Sequence, residues 1–527
     1  MLTKLPIVVV VISGLAFAAD FDLLIRNARV VDGTGNPWFR ADVGIRNGEI
    51  ASIGRLAGKT ADEIIEAKQR VVTSGFIDVH VHADYFPERR LTRNPDADAF
   101  LFDGVTTIVN GNCGWSEIDL ADFFSSVEQA GPAVNMASMI GHGAIRRRVM
   151  GDANRAPTPV ELQTMKEIVE QAMRDGAVGF STGLWYTPAS FARTEEVIAL
   201  ARAASSFGGV YATHVRDEGP RILEAIAEAV RIAEESGLRL QVSHLKIMDR
   251  RHWGTADKVI AALEAARLRG VDASGDFYPY EAASSRMQPL FPHWAFDGGE
   301  QSLRERLSAK ESRARIAAEM ANDPYFRQGQ NDYSYLMVAN CSFDHTLEGK
   351  SISQISRERG GKGTIEDEIQ TVLDLRAKGE VILVYHTNGP QDLLTYMRWP
   401  LSAVASDTVY GGFGEGVPHP RNYGTNARVL AEFVRVRGVL TLEDAVRKMT
   451  SLPARTFGLR NRGLIREGMV ADILIFDPAK VQDKATYEKP HRYSEGFDWV
   501  IVNGVPVVEE GRRRKGVRPG RILRRTM

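Results

Sequence analysis

The stretch Gly75-Phe-Ile-Asp-Val-His-Val-His82 decides the fold of this chain. As a β-strand it places Asp78, His80 and His82 on one face and the aliphatic residues between them on the other, because side chains alternate with a period of two. This pattern is typical of the inner wall of an α/β barrel, with the apolar face expected to meet the surrounding helices. Two histidines at i and i+2 can bind one cation. Two polar residues on a solvated strand face are an equally common origin of the same pattern.

The length and composition limit the classes of protein to consider. The 527 residues are too many for one small domain and fit a barrel of typical size with a second module. Apolar content of 44% and charged content of 25% are ordinary for a globular protein. The net charge of −1 gives no reason to expect binding to nucleic acid or to an anionic membrane. Basic residues cluster at 512–515 and in Arg521, Arg524 and Arg525, and we expect them to form a solvated tail.

Residues 1–19 have the features of a cleavable signal peptide. A basic residue is followed by the apolar segment 5–15, which is too short for a comfortable membrane span, and then by the cleavage signal Ala16-Phe-Ala18. The mature chain is therefore expected to start near Ala19 or Asp20 and to be periplasmic or secreted. No later stretch is long and apolar enough to cross a bilayer, so no membrane span is expected.

Both ends of the chain are rich in strand-like runs separated by turn signals. Residues 20–74 alternate about Asn47-Gly48, and residues 456–527 carry similar runs on either side of Asn503-Gly504. Both dipeptides favour β-hairpins. We therefore expect a small β-sandwich domain that is built from both chain ends and is followed by the basic tail.

The central region, 75–455, alternates strands with helices, which predicts parallel strands joined by helical crossovers. Eight strands are predicted, at 75–82, 105–113, 134–141, 177–182, 209–215, 238–245, 271–280 and 402–407. Eight is the number that a (β/α)8 TIM barrel requires, so the predicted class is α/β with such a barrel. The stretch from about 283 to 399 does not fit the repeat. We interpret it as an insertion between strands seven and eight, either a lid or a small subdomain.

Metal-binding side chains fall at the C-terminal ends of several predicted strands, where barrel enzymes keep their active sites. They are His80 and His82 on the first strand, Cys113 on the second, His214 on the fifth, His244 on the sixth and Asp407 on the eighth. A single histidine in such a place is usually a hydrogen-bonded structural residue. The chain has 11 histidines, so finding four of them at these positions by chance is improbable.

In these and other motifs the sequence resembles the amidohydrolase superfamily and, within it, the N-acyl-D-amino-acid deacylases (D-aminoacylases). The resemblance covers essentially the whole mature chain. The motifs are 75–82, Gly104-Val-Thr-Thr-Ile-Val-Asn-Gly-Asn-Cys-Gly114, Gly179-Phe-Ser-Thr-Gly-Leu-Trp-Tyr186, Tyr211-Ala-Thr-His-Val-Arg-Asp-Glu218, Ser243-His-Leu-Lys246, Ser406-Asp407, His419-Pro-Arg-Asn-Tyr-Gly-Thr425 and 468–477. Each motif alone is weak evidence, whereas the set in this order is strong.

The resemblance implies a zinc site. Cys113, His214 and His244 correspond to the ligands of a tightly bound zinc, and a thiolate with two neutral imidazoles leaves a fourth position for water. His80 and His82, with Asp407, correspond to a weaker second metal position. A disulfide between Cys113 and Cys341 is the default expectation for two cysteines of an exported protein. The resemblance makes it the less favoured alternative, with Cys341 a small buried hydrophobe.

The resemblance also implies the reaction, the hydrolysis of N-acyl-D-amino acids to a carboxylate and a free D-amino acid. Asp407 is then the general base and acid. Arg421 matches the residue that holds the free carboxylate of the substrate, which suits the bidentate geometry of a guanidinium. Further candidate substrate contacts are Lys246, as a second anion contact, and the pocket residues Tyr186 and Tyr280. For both tyrosines, ordinary aromatic packing is nearly as good an interpretation.

The sequence departs from the usual deacylase pattern next to Asp407. Ser406-Asp-Thr-Val-Tyr410 stands where Ser-Asp-Gly-Leu-Pro is more common, and the glycine-rich interval up to Arg421 is slightly longer. Because of this departure, the sequence does not determine which substrate side chain is preferred. Another amide hydrolase, such as a dipeptidase or a cyclic-amide hydrolase, remains an alternative. A non-catalytic exported binding protein is the alternative from another class, although the intact ligand set and Asp407 speak against it.

Overall fold

Eight parallel strands pair side by side in chain order in the computed structural model, which describes residues 19–83 and 91–525. They are Phe76–Asp78, Val105–Asn110, Asn135–Ser138, Gly179–Gly183, Val210–His214, Arg239–Val242, Ala273–Phe277 and Ser402–Val404. The short strand Ile140–Gly141 extends the third strand and pairs with the fourth. Thr408–Val409, beyond the eighth strand, pairs in parallel with Val81–His82, beyond the first, and so joins the two ends of the sheet.

The helices follow these strands as crossovers, which confirms the predicted α/β class. They are Asp98–Leu101, Leu120–Ala130, His142–Met150, Pro159–Arg174, Thr194–Ser205, Ile222–Ser236, Ala256–Leu268 and Pro390–Arg398. After the eighth strand come Arg421–Arg428, the π-helix Val429–Val436, Leu442–Met449 and Ser451–Phe457. Among the described helices, none is long and apolar enough to span a membrane. Residues 1–18 of the predicted signal peptide, 1–19, lie outside the described residues.

The first strand differs from the prediction, because it is not continuous over 75–82. It breaks after Asp78, whose carboxylate accepts hydrogen bonds from the backbone N–H groups of His80 (3.1 Å) and Ser406 (3.0 Å). The expectation that Ile77 and Val79 face the helices is therefore wrong. Both pack in the barrel interior with alanine and valine side chains of the other strands, and the histidines lie above this apolar layer.

The insertion forms a subdomain with its own apolar core. Its antiparallel sheet consists of Ala283–Arg286, Leu336–Asn340 and, between them, Ile382–Tyr385. Its helices are Gly299–Ser308, Lys310–Asn322, Ile352–Glu358 and Ile365–Lys378. The helix Pro390–Arg398 contacts the helix Ala256–Leu268 and the seventh and eighth strands. It is therefore a crossover of the barrel, although the predicted insertion included it.

Strands from both chain ends form one hydrogen-bonded sheet of nine strands. The N-terminal strands are Phe21–Val30, Phe39–Arg46, Glu49–Gly54, Ala61–Glu66 and Val71–Ser74, and the C-terminal strands are Ile473–Phe476, Phe497–Val502, Val505–Glu509 and Arg512–Arg513. The two sets join where Ile473–Phe476 pairs antiparallel with Val71–Ser74. Because Phe76–Asp78 follows Val71–Ser74 directly, this sheet leads straight into the first barrel strand.

The basic C-terminal segment is not a solvated tail, so that expectation is wrong. Its backbone is hydrogen-bonded across the N-terminal ends of the barrel strands. Met136 N–H donates to the carbonyl of Arg521 (2.9 Å), Leu523 N–H to the carbonyl of Met136 (2.7 Å), and Arg525 N–H to the carbonyl of Gly176 (2.9 Å). These hydrogen bonds hold the segment in an extended conformation against the barrel. The prediction of a solvated tail rested on the charge of the segment, which carries no information about its backbone hydrogen bonds.

Candidate metal centre

Cys113 lies at the centre of the polar cluster in the barrel mouth. Its Sγ is 3.3 Å from His80 Nε2, 3.6 Å from His244 Nε2 and 3.7 Å from His214 Nδ1. All four side chains are buried. The ligand atoms of Cys113, His214 and His244 lie within 4.8 Å of one another, as do those of Cys113 with His80 and His82. The four strand ends on which these residues were predicted are therefore brought together around one sulfur.

Asp407 closes the cluster on its other side. Its Oδ1 is 3.4 Å from His80 Nε2 and 3.3 Å from His82 Nε2, and with His80 and His244 it forms a third group of ligand atoms within 4.8 Å. The three groups overlap, because His80, His244 and Cys113 each belong to two of them. The cluster is therefore one continuous set of six potential metal ligands.

Three of the six residues have a backbone conformation that is rare for residues other than glycine. The φ angles are +53° at Cys113, +37° at His244 and +52° at Asp407. Such a conformation costs on the order of 1–3 kcal/mol per residue and persists only where the surrounding structure enforces it. Each of the three residues lies just beyond a strand end, where the turn directs its side chain towards the centre of the barrel.

The electrostatics of the cluster favour anionic sulfur and carboxylate. Burial alone would raise the pKa of the Cys113 thiol, but His80, His214 and His244 hold that pKa well below its usual value. Burial would likewise raise the pKa of Asp407, and Arg421 and His80 hold it well below its usual range. Burial lowers the pKa of His82, yet Asp407 and Cys113 outweigh this and raise it to about 9. The cluster thus attracts positive charge into a buried site.

Two carboxylates that the sequence analysis did not assign support the histidines. Glu218 Oε1 is 3.1 Å from His244 Nδ1, and Glu218 Oε2 is 3.6 Å from His214 Nε2. Asp276 Oδ1 is 3.4 Å from His80 Nδ1. A carboxylate on the second ring nitrogen fixes the orientation of a metal-binding imidazole. The sequence could have predicted Asp276, because it lies at the end of the seventh strand, as Asp407 does at the end of the eighth.

Lys246 is part of this supporting layer. Its Nζ is 2.6 Å from Glu218 Oε1 and 2.8 Å from His244 Nδ1. The ammonium group is therefore compensated within the cluster, next to the cavity whose wall it joins. Burial raises the pKa of Glu218, but Lys246, His214 and His244 outweigh burial and lower it to about 2.

Arg421 is buried at the start of the helix Arg421–Arg428 and is ion-paired with the candidate base. Its Nη1 is 2.9 Å from Asp407 Oδ2, and its guanidinium carbon lies 4.6 Å from the centre of the Tyr278 ring. Its Nη2 donates a long hydrogen bond, 3.4 Å, to the carbonyl of Ser284 in the insertion. Arg421 therefore connects the eighth strand to the wall of the cavity.

The two candidate tyrosines take different positions. Tyr186 lines the cavity, with its Oη 3.0 Å from Ser285 Oγ and its ring centre 4.9 Å from that of His214. Tyr280 is not among the described residues that line the cavity, and Tyr278 is. The strand ends at Phe277 and the chain turns there, with Tyr280 N–H donating to the carbonyl of Tyr278 (2.9 Å). Tyr280 instead packs edge-on against His419.

The cavity above the cluster has about 1050 Å³ of empty space, part of it open to solvent. The barrel contributes the aromatic residues Trp115, Trp185, Tyr186 and Tyr278 to its wall, and the insertion contributes 283–286, Asn340, Ile382 and Tyr385. The insertion therefore forms one side of the cavity. Both cysteines of the chain are free, and Cys341 is buried in the insertion, so the disulfide alternative is not realised.

Comparison with known proteins agrees with this geometry. The model of the amidohydrolase family matches residues 63–287 and 367–508. A D-aminoacylase from Alcaligenes xylosoxydans xylosoxydans is 34% identical over 532 residues, covering 96% of this chain and 98% of that protein. A crystal structure of a D-aminoacylase, described as defining a novel subset of amidohydrolases, has a TM-score of 0.81 at 32% identity and covers 96% of this chain and all of that one.

A second solved structure adds the chemistry of its ligands. It is an N-acyl-D-glutamate deacylase from Bordetella bronchiseptica, complexed with zinc and with a phosphonate inhibitor that mimics the tetrahedral intermediate. Its TM-score is 0.80 at 30% identity, over 96% of this chain and 99% of that one. With the match to the family model and these full-length similarities, the chain belongs to the amidohydrolase family and, within it, to the group of the D-aminoacylases.

Proposed function

We propose that this protein is a zinc-dependent hydrolase of N-acyl-D-amino acids that releases a carboxylate and a free D-amino acid. The observation that carries the proposal is the convergence of the buried side chains of Cys113, His214 and His244 near Asp407 at one cavity. The relatives named above act on N-acyl-D-amino acids, and one of them was solved with zinc. The export expected from residues 1–19 would place the reaction outside the cytoplasm.

The donor set fits zinc. Thiolate and imidazole are both ligand types that zinc binds, three protein ligands leave a position for water, and soft sulfur disfavours magnesium and calcium. Cys113, His214 and His244 would hold the first ion, and His80, His82 and Asp407 would hold a second, weaker one. Glu218 and Asp276 would orient the imidazoles. When bound, a divalent metal supplies a Lewis acid that polarises the amide carbonyl and lowers the pKa of water.

The residues of the chain then account for the proton transfers. Asp407 takes a proton from the attacking water as the oxygen–carbon bond forms, and it returns that proton to the amide nitrogen as the carbon–nitrogen bond breaks. Its carboxylate is buried and its pKa is held well below the usual range, so it is ionised at neutral pH. The products are a carboxylate and an amine, and Asp407 is regenerated.

Arg421 is proposed to bind the free carboxylate of the substrate. It is a buried cation 2.9 Å from Asp407, and its planar guanidinium has hydrogen-bond donors in addition to the one that faces Asp407. A substrate carboxylate at this position sets the amide bond next to the base. A cyclic amide without a carboxylate would gain nothing from Arg421, which favours linear substrates over cyclic ones.

The wall of the cavity favours a neutral side chain on the amino acid. The exposed surface of the wall is mainly apolar and includes five aromatic rings, and each lysine or arginine among its described residues already faces a carboxylate. Lys246 lies 2.6 Å from Glu218, Arg421 2.9 Å from Asp407, and Arg286 3.8 Å from Glu380. An acidic side chain would have to compete for one of these cations, whereas an apolar side chain gains contact with the rings.

The proposal is tested with a panel of N-acetyl amino acids and dipeptides supplied to the zinc-loaded protein. We expect N-acetyl-D-methionine to be hydrolysed with a kcat/KM at least about 100-fold above that of N-acetyl-L-methionine, and faster than N-acetyl-D-glutamate. Release of the free amino acid is measured by chromatography. Turnover of L-substrates alone, or of dipeptides alone, would contradict the proposal, and no turnover of any member would favour a binding protein.

Replacing the central thiolate tests the metal site. Cys113→Ala is expected to lose most of its zinc, because it removes the one ligand that touches three imidazoles. Zinc per chain is measured by inductively coupled plasma mass spectrometry. The matched control is Cys341→Ala, which removes the other free cysteine and should retain the metal. A Cys113→Ala protein with unchanged zinc content would show that the ligand set is wrong.

Replacing the base separates proton transfer from metal binding. Asp407→Asn is expected to retain zinc at the Cys113 position and to lower kcat by about 10²- to 10⁴-fold, the usual contribution of a general base. Steady-state rates and zinc content are measured on the same samples. Asp62→Asn, at an exposed position of the terminal sheet, is the control. Turnover within about two-fold of the unmodified protein would remove Asp407 as the base.

A further inference from the structure

The N-terminal face of the barrel, opposite the metal centre, carries a second large cavity. It has about 1780 Å³ of empty space, part of it open to solvent. Its wall is formed by the starts of the fourth and sixth strands, by the segment 451–470 and by the C-terminal residues 522–525. We propose that this cavity, which we call the arginine cavity, binds a compact polyvalent phosphate at a site separate from the hydrolytic one.

The charge of the arginine cavity is one-sided. Seven arginines line it, and none of its described lining residues is an aspartate or a glutamate. Three of the arginines have a carboxylate partner outside the lining. Arg239 is 3.0 Å from Asp272, Arg524 is 2.5 Å from Glu128, and the buried Arg462 is paired with Asp472.

The other four arginines that line the cavity have no carboxylate partner in the described part of the chain. They are Arg455, Arg460, Arg466 and Arg525. Burial lowers the pKa of Arg525, and so do the positive charges of Arg239 and Arg460 near it. In a protein with a net charge of −1, four cations that have no carboxylate partner among the described residues are a strong local concentration of positive charge.

The position of Arg525 is set by the fold. Its backbone N–H donates to the carbonyl of Gly176 and its Nε donates to the carbonyl of Phe207, both at 2.9 Å. Its guanidinium lies against Gly208 and Gly458, where an added Cβ would come within 2.4 and 3.2 Å of the terminal nitrogens. The segment that a charge count alone marks as a solvated tail is thus held with its cation in the cavity wall.

The shape and charge of the cavity select the ligand. Guanidinium groups bind phosphate oxygens through paired hydrogen bonds, and each phosphate of an oligophosphate brings at least one negative charge. Four positive charges on the wall of one cavity, three of them on exposed side chains, match a small ligand that carries several negative charges. A flat bilayer surface does not enter a concavity, and an acidic peptide spreads its charges along an extended chain. A compact oligophosphate is small enough to enter the cavity and carries several negative charges.

The test uses inorganic tripolyphosphate as the probe and the full-length, zinc-loaded protein. Binding is followed by isothermal titration calorimetry, and the thermal midpoint is recorded with tripolyphosphate and with sodium sulfate at equal ionic strength. Tripolyphosphate should bind and raise the midpoint more than sulfate does. Arg460→Glu and Arg466→Glu should each weaken binding by about ten-fold or more. The control Arg148→Glu changes an exposed arginine outside the cavity and should bind as the unmodified protein does.

Two further arms distinguish phosphate binding in the arginine cavity from loss of metal and from binding to an anionic surface. Turnover of N-acetyl-D-methionine in each sample reports loss of metal to the chelating phosphate, which would affect all variants equally. Vesicles of phosphatidylglycerol and phosphatidylcholine report binding to an anionic surface. Equal binding of tripolyphosphate by Arg460→Glu and the unmodified protein would overturn the proposal, as would an effect no larger than that of sulfate. Binding of vesicles but not of tripolyphosphate would also overturn it.

Discussion

The contact of one buried thiolate with three imidazoles is the interaction on which the rest of the site depends. Cys113 lies within 3.7 Å of His80, His214 and His244, which arrive from three other strands. Burying an anion without compensation would be costly, so the imidazoles and a bound cation are needed to hold it in place. The rare backbone angles at Cys113, His244 and Asp407 show that the barrel accepts local strain to bring these groups together.

Around this centre the structure arranges charge in layers. Glu218 and Asp276 face the outer nitrogens of the histidines, and Lys246 compensates Glu218. On the other side Arg421 faces Asp407. Each of these lysine, arginine and carboxylate groups therefore has a partner of opposite sign. On the proposed function, the apolar wall of the cavity and the guanidinium of Arg421 would distinguish one substrate from another.

Much of this architecture is readable from the sequence, because parallel strands with period-two patterns and helical crossovers leave strong local signals. The positions of Cys113, His214 and Asp407 follow from the rule that barrel sites lie at strand ends. The break after Asp78 does not follow, since it depends on a hydrogen bond from Ser406, more than 300 residues away. Tyr278 lines the cavity, although the sequence analysis predicted Tyr280 there. The chain turns beyond the end of the strand, so the alternation of side chains between the two faces stops before these residues. The packed C-terminal segment likewise depends on long-range backbone bonds.

The central claim is that sulfur from Cys113 is a ligand of the catalytic metal. Zinc K-edge X-ray absorption spectroscopy of the zinc-loaded protein tests it most directly, because sulfur and lighter ligands scatter at different distances. The account predicts one sulfur at about 2.3 Å together with nitrogen and oxygen ligands at about 2.0–2.2 Å. A first shell of nitrogen and oxygen alone would contradict it, since the thiolate at the centre of the cluster would then not bind the metal.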